Sequence, residues 1–312
     1  MNASRSGSLG GPVAVTGATG FIGRALCRRL ADLDVPVRAL VRRSGDQLPE
    51  GVRPVHGSLT SGSALNELVR GARVVIHCAG AVRGGDRAAF DAVNVIGTRE
   101  LLATIAVRAP GAHVVLISTL AAREPALSDY AASKRAAESL LDQQAPFTHT
   151  ILRPTAVYGP GDVELQPLLT TMARGLAAIP GSADNRVTLV HVDDLVDAII
   201  AATDPAVGPG PYEIADGRAD GYRWPELATA VSAISGRRTR LLTVPTGALA
   251  AVAQANRFVA RIFARAPMLT PGKVRELTHA DWSCDTQPFR AASGWAPRIA
   301  LNEGLGTVLG DT

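Results

Sequence analysis

The chain of 312 residues predicts an α/β fold, a doubly wound parallel sheet carrying a smaller C-terminal α+β lobe. Three observations predict it. From residue 13 to about residue 155, short apolar runs alternate with helical patterns, as β-α-β units do. The first of these runs feeds a glycine-rich corner, Thr16-Gly-Ala-Thr-Gly-Phe-Ile-Gly23, that opens straight into a helix. After Gly159-Pro160-Gly161-Asp162 the alternation loosens, which marks where a second, less regular region starts.

The elements follow in order. Val13–Thr16 is a short apolar run, as a first strand buried in a parallel sheet reads. Beyond Gly17 and Gly20, the residues Phe21, Ile22, Ala25, Leu26 and Leu30 mark one face of a helix over Gly23–Ala31. Glycines let backbone approach a phosphate, and the free N–H groups of a helix start favour negative charge. The corner is therefore a candidate pyrophosphate site, although its spacing departs from G-x-G-x-x-G. Further strands are expected at Val37–Val41, Val74–Cys78, Val114–Ser118 and Thr150–Arg153, with helices at Ser63–Arg70, Phe90–Ala109 and Tyr130–Gln144. Then come a helix-like run at Leu165–Ala178, a strand at Val187–His191, and helices at Asp193–Thr203, Trp224–Ser235 and Gly247–Arg265. The division this implies is a tail over 1–10, a dinucleotide-binding region over 11–160 with about 187–203, and a substrate lobe over 161–186 and 204–312.

Composition narrows the function classes. The content of 46% apolar residues suits a globular chain, and three scattered cysteines without metal spacing suit a reduced, cytoplasmic setting. Met1–Gly10 has no apolar core of the kind a signal peptide carries. Gly247–Ala266 is interrupted by Gln254, Asn256, Arg257, Arg261 and Arg265, so an amphipathic helix packed on the second lobe is expected instead of a membrane span. A net charge of +4 with 4% aromatics gives no platform for nucleic acid. No metal site is expected: His191, Asp193 and Asp194 are sequence-local, and capping of the next helix accounts for the aspartates.

The end of the second strand bears on cofactor choice. Where a carboxylate would take both ribose hydroxyls of NAD, this chain has Val41-Arg42-Arg43. Guanidinium binds a 2′-phosphate by charge-assisted hydrogen bonds, so NADP(H) is expected over NAD(H), with Arg42 first and Arg24 and Arg43 in reserve.

Tyr130-Ala-Ala-Ser-Lys134 places a phenol and an ammonium one helical turn apart on one face. An ammonium favours phenolate and brings the phenol toward acid–base work. The fourth strand ends in Ser118-Thr119, hydroxyls able to hold a carbonyl oxygen beside that tyrosine.

These residues together resemble the extended short-chain dehydrogenase/reductase family. The likeness rests on the glycine corner, His77-Cys-Ala-Gly80, Asn94-Val-Ile-Gly-Thr98, Ser118-Thr119, Tyr130-x3-Lys134, Arg153-Pro-Thr-Ala-Val-Tyr-Gly-Pro-Gly-Asp162 and His191-Val-Asp-Asp194, in that order along the chain. The resemblance implies a Rossmann-type sheet, a bound nicotinamide dinucleotide, a small-molecule substrate held by the lobe, and a possible homodimer. It implies Tyr130 as general acid or base, Lys134 on the nicotinamide ribose, Thr119 before Ser118 as the catalytic hydroxyl, and Asn94 as a support near the lysine. The cofactor would be touched by Gly17, Thr19, Gly20, Phe21, Ile22, Ala79, Gly80, Pro154, Thr155 and Val157, and the substrate by Tyr158 and Ala81. Ser58 stands where the family often has an aspartate near the adenine. His77 and Cys78 are expected as packed core side chains, and Arg153 as a sheet-end ion pair.

The link from Thr119 to Tyr130 spans 11 residues. Nucleotide-sugar epimerases and dehydratases of this family carry a longer excursion there, and Leu120-Ala121 replaces the acidic residues a dehydratase uses. The expectation is a ketone/alcohol oxidoreductase acting on a small or medium, partly apolar substrate. The alternatives are an epimerase or dehydratase holding NAD tightly, and a non-catalytic NADP(H)-binding sensor.

Overall fold

The computed structural model describes residues 11–43, 45–143, 147–262 and 269–310. The tail expected over 1–10, and Phe263 and Met268 of the C-terminal region, lie outside these residues. The chain runs β1 (Val13–Thr16), α1 (Phe21–Asp32), β2 (Val37–Val41), β3 (Val52–His56), α2 (Gly62–Val69), β4 (Val74–His77), α3 (Arg87–Asp91), α4 (Thr98–Arg108), β5 (His113–Ile117), α5 (Asp129–Gln143) and β6 (His149–Pro154). It continues through β7 (Ala156–Tyr158), α6 (Gln166–Ala173), β8 (Leu176–Pro180), β9 (Arg186–Val187), β10 (Leu189–His191), α7 (Val192–Ala201), β11 (Tyr212–Ile214) and β12 (Tyr222–Arg223). It closes with α8 (Trp224–Ser235), β13 (Arg240–Val244), α9 (Thr246–Ile262), α10 (Pro271–Thr278), α11 (Gln287–Ser293) and α12 (Leu301–Leu309).

Seven parallel strands in the order β11-β6-β5-β4-β1-β2-β3 form the central sheet, the doubly wound arrangement that was expected. The order reverses between β1 and β4, and ligands of such sheets sit in the crevice at that point. β1, β4 and β5 are buried on both faces and read as short runs dominated by Val, Ile, Leu and Ala, which is why they were legible. Helices cover both sides. Leu26, Leu30, Ile76, Leu195 and Ile199 fill one layer, and Leu65, Leu68, Leu101, Ile105 and Leu141 fill the other.

Several expected elements change. β3 was missed because edge position exposes Arg53 and Pro54 and breaks its apolar run. The helix expected over Phe90–Ala109 is α3 and α4 joined by a six-residue π turn, Ala92–Gly97, in which Gly97 passes under Leu59. The helix-like run at Leu165–Ala178 is α6 followed by β8, with Gly175 (φ 98°) at the break. The expected strand Val187–His191 divides into β9 and β10. These pair with β12 and β7 outside the central sheet. The stretch assigned to the lobe from residue 204 returns to the sheet: β11 is its edge strand, and Phe289 and Trp295 pack in the sheet's core. The lobe keeps its own core, built around Leu169, Met172, Ile179, Leu227, Val231 and Leu305.

Candidate functional site

A cleft of about 810 Å³ runs from the C-terminal ends of the strands into the lobe. On the sheet side it is lined by Phe21, Ile22, Thr119, Tyr130 and the segment Pro154–Val157. On the lobe side it meets Leu168, Ile179, Leu189, Leu227, Leu249 and the two indoles Trp224 and Trp282.

The glycine corner has the shape its sequence predicts. Gly17 is left-handed (φ 74°), and a Cβ there would lie 2.6 Å from the Ala79 nitrogen, so the corner and the end of β4 touch through bare backbone. A Cβ on Gly23 would reach 2.1 Å from the Gly17 carbonyl, so only glycine lets α1 start this close to β1. Gly20 caps α1 without any side-chain hydrogen bond, and the first turn holds no acidic residue. A twelve-residue helix with an open, uncapped start is a ready pyrophosphate site. Thr155 lines the cleft with its hydroxyl buried and unpartnered, a second polar atom left for a ligand. The residues present therefore fit a dinucleotide. β2 lies beside β1 with Leu40 opposite Thr16, so Arg42 and Arg43 leave the sheet next to the corner, and both are exposed, as is Arg24. Arg24 donates to the Thr19 carbonyl (3.3 Å), and the Arg43 amide donates to Asp46 (3.3 Å).

Below the corner the polar side chains are tied together. His77 bridges Thr16 (2.6 Å) and Thr98 (2.9 Å) and is wholly buried; burial first, then the charge of Lys134, pushes it down to about 3. It is a neutral core histidine, as expected. Cys78 is raised by burial and is no thiolate. Asn94, inside the π turn, accepts from the Ala81 amide (2.7 Å) and donates to the Ala81 carbonyl (3.1 Å) and the Ser133 hydroxyl (2.9 Å). A π turn inside a helical run re-aims one side chain, and here it presents Asn94 to the loop after β4 and to α5 together. Ala81 is occupied by that amide, and its neighbour Val82 lines the cleft instead.

Tyr130 sits at the start of α5, capped by Ser128, whose hydroxyl accepts from the Ala131 amide (2.9 Å). Its ring lies 5.9 Å from that of Phe90, and it lines the cleft together with Thr119. Lys134 is buried and donates to the Ile117 carbonyl (2.7 Å). Burial lowers its ammonium to about 8, against the opposing pull of Glu138. The expectation that Lys134 makes this phenol more acidic is not met here. Burial and then the Glu276 carboxylate raise the Tyr130 phenol, Thr119 pulls it back only in part, and Lys134 is not among the influences on it.

Two more expected roles change. Ser118 faces away from the cleft and donates to Glu138 (2.5 Å), which takes Arg153 in a bidentate pair (2.9 and 2.6 Å). That makes Arg153 the expected sheet-end ion pair and Ser118 part of its seat. Tyr158 does not reach the substrate cleft. It is fully buried in the lobe core, its ring edge-on to His191 (5.4 Å) and its hydroxyl against α12, where a Cβ on Gly304 would lie 2.3 Å away. The aspartates after His191 also act differently. His191 itself caps α7, accepting from the Asp193 amide (3.3 Å), while Asp194 accepts from the amides of Arg298 (3.0 Å) and Ile299 (2.9 Å) and pins the C-terminal segment. Among the described residues no cluster of three potential metal ligands occurs.

The sequence did not point to Glu276, buried on α10, which shares a hydrogen bond with Ser128 and takes Lys273 at 3.2 Å. Nor did it point to Asp162, which accepts from the amides of Glu164, Leu165 and Gln166 (2.8 to 3.0 Å) and so starts α6. Asp162 could have been found from its place after Gly159-Pro160-Gly161 as a capping residue; nothing local marks Glu276.

A parallel sheet with this corner, and a Thr–Tyr–Lys set at the crevice where the strand order reverses, define a dinucleotide-dependent enzyme. Residues 13–215 match the model of the NAD dependent epimerase/dehydratase family, and the chain belongs to that family, as an extended short-chain dehydrogenase/reductase and NAD(P)-dependent oxidoreductase. It is 39% identical to the ceramide reductase of Caulobacter vibrioides over 300 residues, covering 95% of this chain and 92% of that one. It is 30% identical to the 2-alkyl-3-oxoalkanoate reductase of Stenotrophomonas maltophilia, covering 94% and 97%. Among solved structures, MoeE5 in complex with UDP-glucose and NAD superposes with a TM-score of 0.74 at 25% identity, over 96% of this chain and 98% of that one. Among the described residues no helix is long and apolar enough to cross a membrane.

Proposed function

We propose that the protein is an NADP(H)-dependent reductase that interconverts a ketone and a secondary alcohol on a substrate bearing a long apolar chain. The observation that carries this is the pairing of Thr119 and Tyr130 at one end of a cleft whose lobe wall carries a run of large apolar side chains, Leu168, Ile179, Trp224, Leu227, Leu249 and Trp282, beside the charged Glu164, Lys273 and Arg275. The nicotinamide, when bound, supplies or accepts the hydride at the carbon. Gly17, Gly20 and the start of α1 hold the pyrophosphate, with Thr19, Phe21, Ile22, Ala79, Gly80, Pro154, Thr155 and Val157 around the rest, and Arg42 takes the 2′-phosphate. Thr119 positions the ketone oxygen, and Tyr130 gives that oxygen its proton. A phenol raised above its ordinary value is fully protonated at neutral pH, which is the form a proton donor needs in the reductive direction. Lys134, ionised to a large extent below pH 8, offers its ammonium to the ribose and to the proton path. The relatives named as reductases of ceramide and of 2-alkyl-3-oxoalkanoates support a lipid-like ketone.

The UDP-glucose bound to MoeE5 favours a second reading, sugar epimerisation with retained NAD. Leu168, Leu227, Leu249 and the two indoles give a bound chain more apolar surface than a hydroxylated sugar uses, which favours the first. The experiment is a cofactor-oxidation assay with NADPH and NADH side by side, on 3-oxo lipids and short ketones. Turnover with NADPH and a rise in kcat/KM with chain length are expected. Protein purified with tight NAD and no response to added NADPH would replace this reading by the second.

A further inference from the structure

Between Glu226 and Glu276 the chain contains no acidic residue but holds seven arginines and Lys273, in a protein whose whole net charge is +4. The first of these arginines fall on the ribbon formed by β8 and β13. The two strands are parallel, with Leu176 beside Arg240, Ala178 beside Leu242 and Pro180 beside Val244. Side chains alternate along a strand. Ala177 and Ile179 are in the lobe core, so Leu176, Ala178, Pro180, Leu242 and Val244 share the opposite face, with Arg240 beside Leu176 at its outer end. Ala178, Pro180 and Val244 line the substrate cleft, whereas Leu176 and Leu242 are 50% and 53% exposed. One face thus leads from the cleft to solvent as a continuous apolar track.

The open end of that track lies beside a group of cations. The Arg240 amide donates to the Gly175 carbonyl (2.9 Å), which brings Arg174 beside Arg237, Arg238 and Arg240. All four are exposed, and among the described residues none of them is in an ion pair. α9 starts two residues after β13, with Leu249 on the cleft and Val252 59% exposed. The helix therefore packs on the lobe only along part of its surface.

We propose that this face docks on the surface of an anionic lipid bilayer, so that the alkyl chain of the ketone passes from the membrane along the β8–β13 ribbon into the cleft. The feeding step rests on the reading of the site as a ketone reductase; the docking does not. Exposed leucines beside a group of unpaired arginines match the boundary between acyl chains and phosphate headgroups. A second copy packed on the same face about a twofold axis would bring the same arginines against each other. A nucleic acid would leave Leu176 and Leu242 in water.

The test is flotation of the full-length protein with vesicles of phosphatidylcholine alone or mixed with phosphatidylglycerol. Binding to the mixed vesicles only, weakened by salt, is expected. Each arginine at such a surface is worth about fivefold in partitioning, so R238E/R240E should lower binding by at least about 25-fold. L176S/L242S should lower it as well, and both variants should keep wild-type turnover of a short soluble ketone while losing turnover of a long-chain ketone presented in vesicles. Failure to float with the mixed vesicles, or flotation unchanged in both variants, overturns the proposal. So does a dimer in sedimentation that L176S/L242S abolishes while the vesicles stay unbound. A protein that floats as expected but reduces no ketone keeps the docking and removes the function proposed for the cleft.

Discussion

Behind the sheet side of the cleft, buried polar side chains are held by other polar groups, Asn94 by Ala81 and Ser133, His77 by Thr16 and Thr98, Glu138 by Arg153 and Ser118, while on the wall itself the Thr155 hydroxyl is left for a ligand. On the lobe side, Leu168, Leu227 and Leu249 present only apolar surface to the same space, and they come from three separate segments. On the proposed reading the first wall would do the chemistry on any ketone that arrives. The second wall would select by area, and area can be tuned one residue at a time. If the division is right, changes on the sheet side alter kcat for every substrate alike, and changes on the lobe side alter KM in proportion to chain length.

The largest effect that can break this division is at Tyr130. Tyr130→Phe keeps the ring against Phe90 and removes only the proton. Turnover should fall about 10²- to 10⁴-fold for short and long ketones equally, with NADPH affinity unchanged by fluorescence titration. A loss confined to long-chain substrates would place Tyr130 in the selecting wall.

Next comes the buried pair behind the site. Glu138→Gln leaves the Arg153 guanidinium 8% exposed and without its counter-charge, which costs about 3 to 5 kcal/mol in comparable pairs. Urea denaturation should show a loss of that order, and a change under about 1 kcal/mol would mean the pair does not hold the sheet end.

Lys134 gives a prediction with a definite sign. Its folded-state value, about 8, lies below the ordinary 10.5, so between those values the unfolded chain binds a proton that the folded chain does not. Burial of the ammonium therefore costs stability at neutral pH, and the cost is relieved as pH rises from about 8 to 10.5. Lys134→Met should be inactive yet more stable than the parent at pH 7, by up to about 3 kcal/mol, with the difference gone above pH 10. Equal stability at both pH values would show that the amine is not desolvated.

The two walls also differ in what their sequences disclose. Gly17 and Gly23 had to be glycine for backbone to touch backbone, and Tyr130 and Lys134 stand one helical turn apart, so local spacing carried the information. The π turn that aims Asn94 has no signature beyond an apolar helical run, and it read as one continuous helix. Tyr158 lies in a motif-like segment between a cleft residue and a turn, and only the packing of Gly304 on α12, far along the chain, turns it inward. Glu276 reaches Ser128 across 148 residues, a distance over which no periodicity speaks. The lobe wall was illegible for the same reason: a leucine on a helix reads as core wherever it sits.

Arg42 tests the cofactor half more gently. Arg42→Ala removes one charge-assisted contact to the 2′-phosphate, and the preference for NADPH over NADH should shrink about tenfold, read as the ratio of the two kcat/KM values. An unchanged ratio would pass the role to Arg24 or Arg43.

The smallest effect sharpens the division most. Leu168 is half-buried and lines the cleft from α6, well away from Thr119 and Tyr130 in sequence and on the other wall. Leu168→Ala withdraws a few methylene-sized groups from contact with a bound chain, worth about 1 kcal/mol at this partial burial, or roughly fivefold in KM. The rise should appear for long-chain ketones and vanish for a ketone too short to leave the catalytic end, with kcat constant in both cases. A uniform rise for both would mean that the lobe acts on the carbonyl end too, and the separation of chemistry from selection would not hold.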